Sequence, residues 1–165
     1  MHREYKEWQQ KVNDLWAAID DYGREEFVAE MKALCTELPD DNPMGAFELG
    51  SAYDSTGYPK KAIPLYRQAL DLGLSGSLRR RATIQMASTL RNLGEIEESV
   101  SLLRTESDAE SDELDDAVSA FLALALVDSG LEREAISIAL GALAPHLPRY
   151  QVSLSRYADM LLQDA

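Results

Sequence analysis

AFELGSAYDSTGYPKKAIPLYRQALDL, residues 46–72, reads as two amphipathic helices joined by a tight turn at Thr56–Gly57. Ala46, Leu49, Gly50 and Tyr53 fall three and four apart, so they share one face of the first helix. Ala62, Tyr66, Ala69 and Leu70 do the same on the second. Gly50, Ala62 and Ala69 are small where the helices would cross, which lets the backbones approach. Leu49, Tyr53, Leu65 and Tyr66 fill the space around them. Gly57 can take the φ > 0 conformation that ends a helix. Pro59 suits the first turn of the next, where its missing N–H costs nothing, and Gly73 closes that helix.

The pattern recurs. Aligned on their turn glycines Gly23, Gly57, Gly94 and Gly130, four units are spaced by 34, 37 and 36 residues. Apolar pairs precede each glycine: Leu15 and Ile19, Leu49 and Tyr53, Met86 and Leu90, Leu122 and Leu126. The small site of the first helix reads Gly50, Ala87 and Ala123, with Trp16 in the first unit. That of the second helix reads Val28, Ala62, Ser99 and Ala135, and the later one Cys35, Ala69, Glu106 and Ala142.

Leu49–Gly50, Tyr53, Gly57, Ala62, Tyr66 and Ala69 resemble, in order and spacing, the tetratricopeptide repeat, a helix–turn–helix unit of about 34 residues. Ala46 stands for the large aromatic that often opens the repeat, and Leu74 for the proline that often closes it. The resemblance, to a small bacterial-type scaffold of this family, implies an all-α fold: a right-handed superhelix of antiparallel helix pairs with a C-terminal capping helix. A single domain over 1–165 is expected, with units at about 5–38, 43–74, 77–107 and 112–144 and a capping helix at about 148–163. Trp16 leaves two readings of the first unit, a repeat or an unrelated helical hairpin serving as a cap. Glu106, at a small site, implies that the second helix of the third unit stops early.

A chain of 165 residues with 45% apolar content can bury roughly 70% of its unfolded surface. Its net charge of −13 argues against nucleic acid and anionic membranes, because phosphates would be repelled. Cys35 is the one cysteine, so no internal disulfide is possible; on an apolar face it reads as a small buried hydrophobe. The polar N-terminal stretch MHREYKEWQQ does not read as a signal peptide, no stretch reads as a membrane span, and a cytoplasmic location is the default.

Along the chain, helices are expected at about Arg3–Tyr22, Arg24–Glu37, Ser77–Leu93, Glu95–Arg104, Asp115–Ser129, Glu132–Leu143 and Pro148–Gln163, besides the two of the central unit. No segment reads as a strand. Asn42 before Pro43 is a helix start. Pro64, inside a helix, removes a bond to Lys60 and predicts a bend. The acidic run from Glu106 to Asp116 reads as a solvated turn entering a helix N-terminus, without the glycine and glutamate of a calcium loop. On the last helix Tyr150, Leu154, Tyr157 and Leu161 form one stripe.

His2 and His146 are unaccompanied, and the sequence offers no metal spacing, phosphate loop or nucleophile motif. We therefore expect no catalytic, cofactor-binding or metal site, and no enzyme. One polar stripe stands out: Arg81, Gln85, Ser88 and Asn92 share a face, with Arg91 beside them. In the family the first helix of each unit lines a groove that receives a peptide or helix. By alignment the neighbouring first helices would present Phe47, Glu48, Ser51 and Asp54 on one side and Phe121, Leu124 and Asp128 on the other. Arginines near a helix N-terminus oppose the dipole, a local conflict of the kind functional sites carry. The plainer reading pairs Arg81 and Arg91 with Glu48 or Asp54. The residues of the family's carboxylate clamp are mostly missing here.

The leading expectation is a non-enzymatic scaffold for a protein or peptide partner. The alternative is a self-assembling subunit whose groove is filled by its own or a neighbour's C-terminal helix, so a homo-oligomer stays open. An enzyme or regulatory subunit is third, supported only by the acidic clusters.

Overall fold

A computed structural model describes residues 2–163, with side chains for residues 5–163. Every regular element among them is helical: α1 His2–Ala17, α2 Arg24–Cys35, α3 Pro43–Ser55, α4 Pro59–Asp71, α5 Gly76–Asn92, α6 Ile96–Ser107, α7 Asp115–Asp128, α8 Glu132–Leu143 and α9 Gln151–Met160. Short 3-10 turns at Ile19–Asp21 and Ala144–His146 complete the order. Two compact units divide inside α5, between Ala82 and Thr83.

The helix ends repeat one device. After α3, the Gly57 N–H donates to Asp54 O (3.1 Å) and the Tyr58 N–H to Tyr53 O (2.8 Å). This double closure is the Schellman motif, and it needs a left-handed residue, which Gly57 supplies at φ 86°. The same pair of bonds closes α4 at Gly73, α5 at Gly94 and α7 at Gly130. Gly23 differs. It is the N-cap of α2 with φ −67°, so no left-handed turn stands there.

In the first unit, α1 packs on α2, α2 on α3 and α3 on α4. Trp8, Val12 and Leu15 are the buried stripe of α1, and the Trp8 indole N–H donates to Leu34 O of α2 at 2.9 Å. Trp16 sits against Phe27, ring centroids 5.1 Å apart, where the other units have a small residue. Asn42 caps α3 by accepting from the Met44 N–H at 3.0 Å, with Pro43 as the first helical residue. At the α3–α4 crossing Ala62 and Ala69 are fully buried, and a Cβ on Gly50 would lie 3.2 Å from both Leu65 Cβ and the Tyr66 ring. The crossing is thus closed by the absence of side chains. α4 is helical through Pro64, which is exposed.

In the second unit, α6 packs on α7, α7 on α8 and α8 on α9. The core joins Ile84 and Ala87 of α5, Leu103 of α6, Val118, Leu122, Ala123, Ala125 and Leu126 of α7, and Ala135 of α8. Ser99, at the small site of α6, is fully buried and donates to Ala87 O of α5 at 2.7 Å. Two expectations fail here. α6 does not stop before Glu106: it continues to Ser107 with Glu106 only 3% exposed, so a carboxylate is accommodated at that site. The last helix is shorter than expected, because Tyr150 turns left-handed at φ 70° before it begins. Its inward stripe is Leu154, Ala158 and Leu161, while Tyr150 and Tyr157 face solvent at 74% and 55% exposure.

Candidate functional site

The residues expected to line a groove fall into two sets, one in each unit. In the first unit Phe47, Glu48 and Ser51 are buried on α3, Asp54 is half-buried and Arg81 is exposed. The Arg81 guanidinium lies 5.6 Å from the centre of the Phe47 ring, a cation–π contact that places its charge over the apolar face. Phe47 in turn meets Tyr66, centroids 6.5 Å apart. The Tyr66 hydroxyl donates to Asp54 Oδ2 at 3.2 Å. Burial pushes that phenol far above its ordinary range, helped by the Asp54 charge, so it stays a donor.

Glu48 is the unusual member. The Trp16 indole N–H donates to its Oε2 at 2.8 Å, from a helix thirty-two residues earlier in the chain. Burial raises its carboxyl above the ordinary range, and the Trp16 bond and the Arg81 charge pull it partly back. Cys35 lies half-buried nearby, its thiol donating to Gly45 O at 3.2 Å. Burial first, then the Glu48 charge, push that thiol up to about 11, which keeps it protonated and unreactive at neutral pH.

In the second unit Gln85 and Ser88 are half-buried on α5 and Asn92 is exposed. Arg91 Nε lies 2.6 Å from Asp128 Oδ2 of α7, approached obliquely, so the contact is an ion pair rather than a hydrogen bond. Two of the expected groove residues therefore engage each other, and Arg91 has its carboxylate partner on α7. On α7 Phe121 is half-buried against the core, and Leu124 is 46% exposed one turn further on. Val127, not singled out by the sequence, is 47% exposed on the same side. Its i+3 spacing from Leu124 was the available signal.

The sequence reading also missed Trp16 as the partner of Glu48, because nothing in local spacing links residues so far apart. It missed the corner formed by Tyr53, Tyr58 and Lys61 as well. The Schellman closure at Gly57 brings the two rings to 6.0 Å at 86°, the apolar contact that accompanies this motif. Among the described residues no three His, Cys, Asp or Glu side chains gather to hold a metal ion, and no helix is long and apolar enough to cross a membrane.

The family model described as a tetratrico peptide repeat matches residues 43–161. The chain belongs to the tetratricopeptide repeat family. The match starts at α3 and leaves out the α1–α2 hairpin, the part where Trp16 replaces a small residue and Gly23 caps a helix start. Repeats of this family generally mediate contacts between proteins, and the family is typically a non-catalytic scaffold. No curated protein and no solved structure matches the chain.

Proposed function

We propose that this chain is a non-enzymatic scaffold that binds a protein or peptide segment on the first-helix faces of its repeats, and that it works in the cytoplasm. Each unit offers its own contact surface: Arg81 over Phe47 in the first, Phe121, Leu124 and Val127 in the second. The observation that supports the reading best is the exposure of Leu124 and Val127 on α7, at an aligned first-helix position. Apolar side chains left in water beside polar ones gain by being covered. The partner would bring an apolar side chain to α7 and an acceptor to Arg81, since a guanidinium removed from water needs one. Selection of binding peptides from a displayed library, followed by affinity and melting measurements on Leu124→Asp and Arg81→Ala, tests it. The expected outcome is binding weakened at least about tenfold by Leu124→Asp, with the melting temperature held, because the side chain is already half in water. Unchanged binding in both variants removes the proposal.

A second reading is self-assembly through α9. Val152 (84% exposed), Tyr157 (55%) and Met160 (47%) give its outer side an apolar character that a terminal capping element does not need. Light scattering across a hundredfold concentration range separates the two readings. A mass that rises towards twice the chain, and that Tyr157→Ser returns to monomer, favours the second.

A further inference from the structure

The turn between α3 and α4 carries a feature that the first-helix reading does not use. Lys61, on the first turn of α4, places its ammonium 5.3 Å from the centre of the Tyr53 ring and 5.0 Å from that of Tyr58. The rings stand at 86° to one another, so the charge sits in the corner between two π faces. This corner is part of an open pocket of about 290 Å³, lined by Glu25, Val28, Ala29 and Lys32 of α2 together with Tyr53, Tyr58 and Lys61. That volume suits one side chain rather than a whole metabolite. Val28 is buried and forms the floor, both tyrosines are half-buried, and Lys61 itself is exposed.

We propose that this pocket binds the cationic side chain of a basic peptide, an arginine or lysine, in the corner that Lys61 now fills. Three observations combine. The aromatic corner already holds an ammonium, which shows that its geometry suits a cation. Glu25 lines the same pocket and supplies a carboxylate. The chain's net charge of −13 draws cations towards its surface over distances of a Debye length. Lys61 then acts as an internal competitor: an incoming guanidinium, flatter and more weakly hydrated, takes its place while the flexible lysine swings into water. Lys32 is the opposing charge in the pocket and keeps the binding weak and salt-sensitive. The proposal is independent of Leu124 and Arg81, so either can fail without the other.

The arrangement makes a prediction that runs against the usual effect of removing a binding-pocket residue. An internal competitor lowers apparent affinity by the fraction of molecules in which it occupies the site. Lys61→Ala should therefore bind a cation more tightly, by roughly two- to tenfold. The test follows tyrosine ring protons by NMR while titrating acetyl-Gly-Arg-Gly-amide, with acetyl-Gly-Gln-Gly-amide and acetyl-Gly-Glu-Gly-amide alongside. Supporting results are saturable shifts with the arginine peptide alone, tighter in Lys61→Ala, and lost in Tyr58→Ala with the helical signal of wild type. If Tyr58→Ala does not fold, Glu25→Gln serves, and should weaken the arginine peptide about threefold or more. Three results overturn the proposal: a preference for the glutamate peptide, weaker binding in Lys61→Ala, or no saturable shift in either protein.

Discussion

Gly50 and Glu48, two residues apart on α3, show how differently single positions constrain this protein. At Gly50 a Cβ would come within 3.2 Å of Leu65 Cβ and the Tyr66 ring, both on the crossing helix. Gly50→Leu should cost about 1–3 kcal/mol by overpacking, as should Ala62→Leu and Ala69→Leu. Urea midpoints measure it, and three unchanged midpoints would mean that the crossing is not closely packed. Glu48 is the reverse case, a group tolerated rather than required. Its carboxyl is raised by burial, so the folded state holds its proton to higher pH than the unfolded chain does. The unfolded chain then binds fewer protons over that interval, and stability falls as pH rises through it. Glu48→Gln keeps an acceptor for the Trp16 indole and removes the buried charge. Its stability relative to wild type should therefore increase from pH 4 to pH 7, a difference readable from paired denaturation curves. A constant difference would mean that the carboxylate is solvated in the folded protein. The sequence placed Gly50 correctly because small residues at helix crossings are a local, periodic signal. The bond from the Trp16 indole to Glu48 was not legible, because Trp16 comes from outside the repeat.

At the scale of the helix pair, the four glycine closures at Gly57, Gly73, Gly94 and Gly130 do the same physical work with different neighbours. This is why the repeat was legible: a left-handed turn costs least at glycine, so turn glycines recur at similar spacing while the helices between them vary. Gly23 had the spacing without the conformation, and only backbone geometry separates the two. The crossings were legible for small residues and less so for polar ones. Ser99 keeps its helix pair close by donating to Ala87 O at 2.7 Å while fully buried. Ser99→Ala should cost about 1 kcal/mol by leaving that arrangement without its hydroxyl, and Ser99→Val should cost more, since it adds volume at a closed crossing. An equal effect for both would mean that the hydrogen bond, not the space, sets the packing. Glu106 implies in sequence that α6 stops early, because a carboxylate is a poor occupant of a small site. The helix runs through it to Ser107 with the side chain buried. Tyr150 and Tyr157 fit a sequence stripe of which the fold turns only Leu154 and Leu161 inward. α9 starts at Gln151, after the left-handed Tyr150, and Ala158 joins those two leucines on the inward side.

For the whole molecule, membership of the repeat family rests on residues 43–161, and the α1–α2 hairpin stands outside that match. The hairpin is nonetheless joined to the first repeat by the Trp16–Glu48 bond and by α2 packing on α3. It should therefore act as a cover for the first repeat: removing residues 1–42 exposes the α3 face with Glu48 on it. We expect the shortened protein to lose cooperativity and to melt at lower temperature, by calorimetry against the full chain; an unchanged transition would make the hairpin an independent appendage. The partner was not legible, because binding faces differ from structural ones only in what is left exposed, and exposure is decided by packing rather than by spacing. Val127 illustrates this, being one of several apolar residues on α7 in sequence and 47% exposed in the fold. We propose that binding uses first-helix faces. Hydrogen–deuterium exchange of the full chain, with and without a peptide selected for binding, tests it most directly. The expected result is added protection in α3, α5 and α7. Protection confined to α4, α6 and α8 would contradict it.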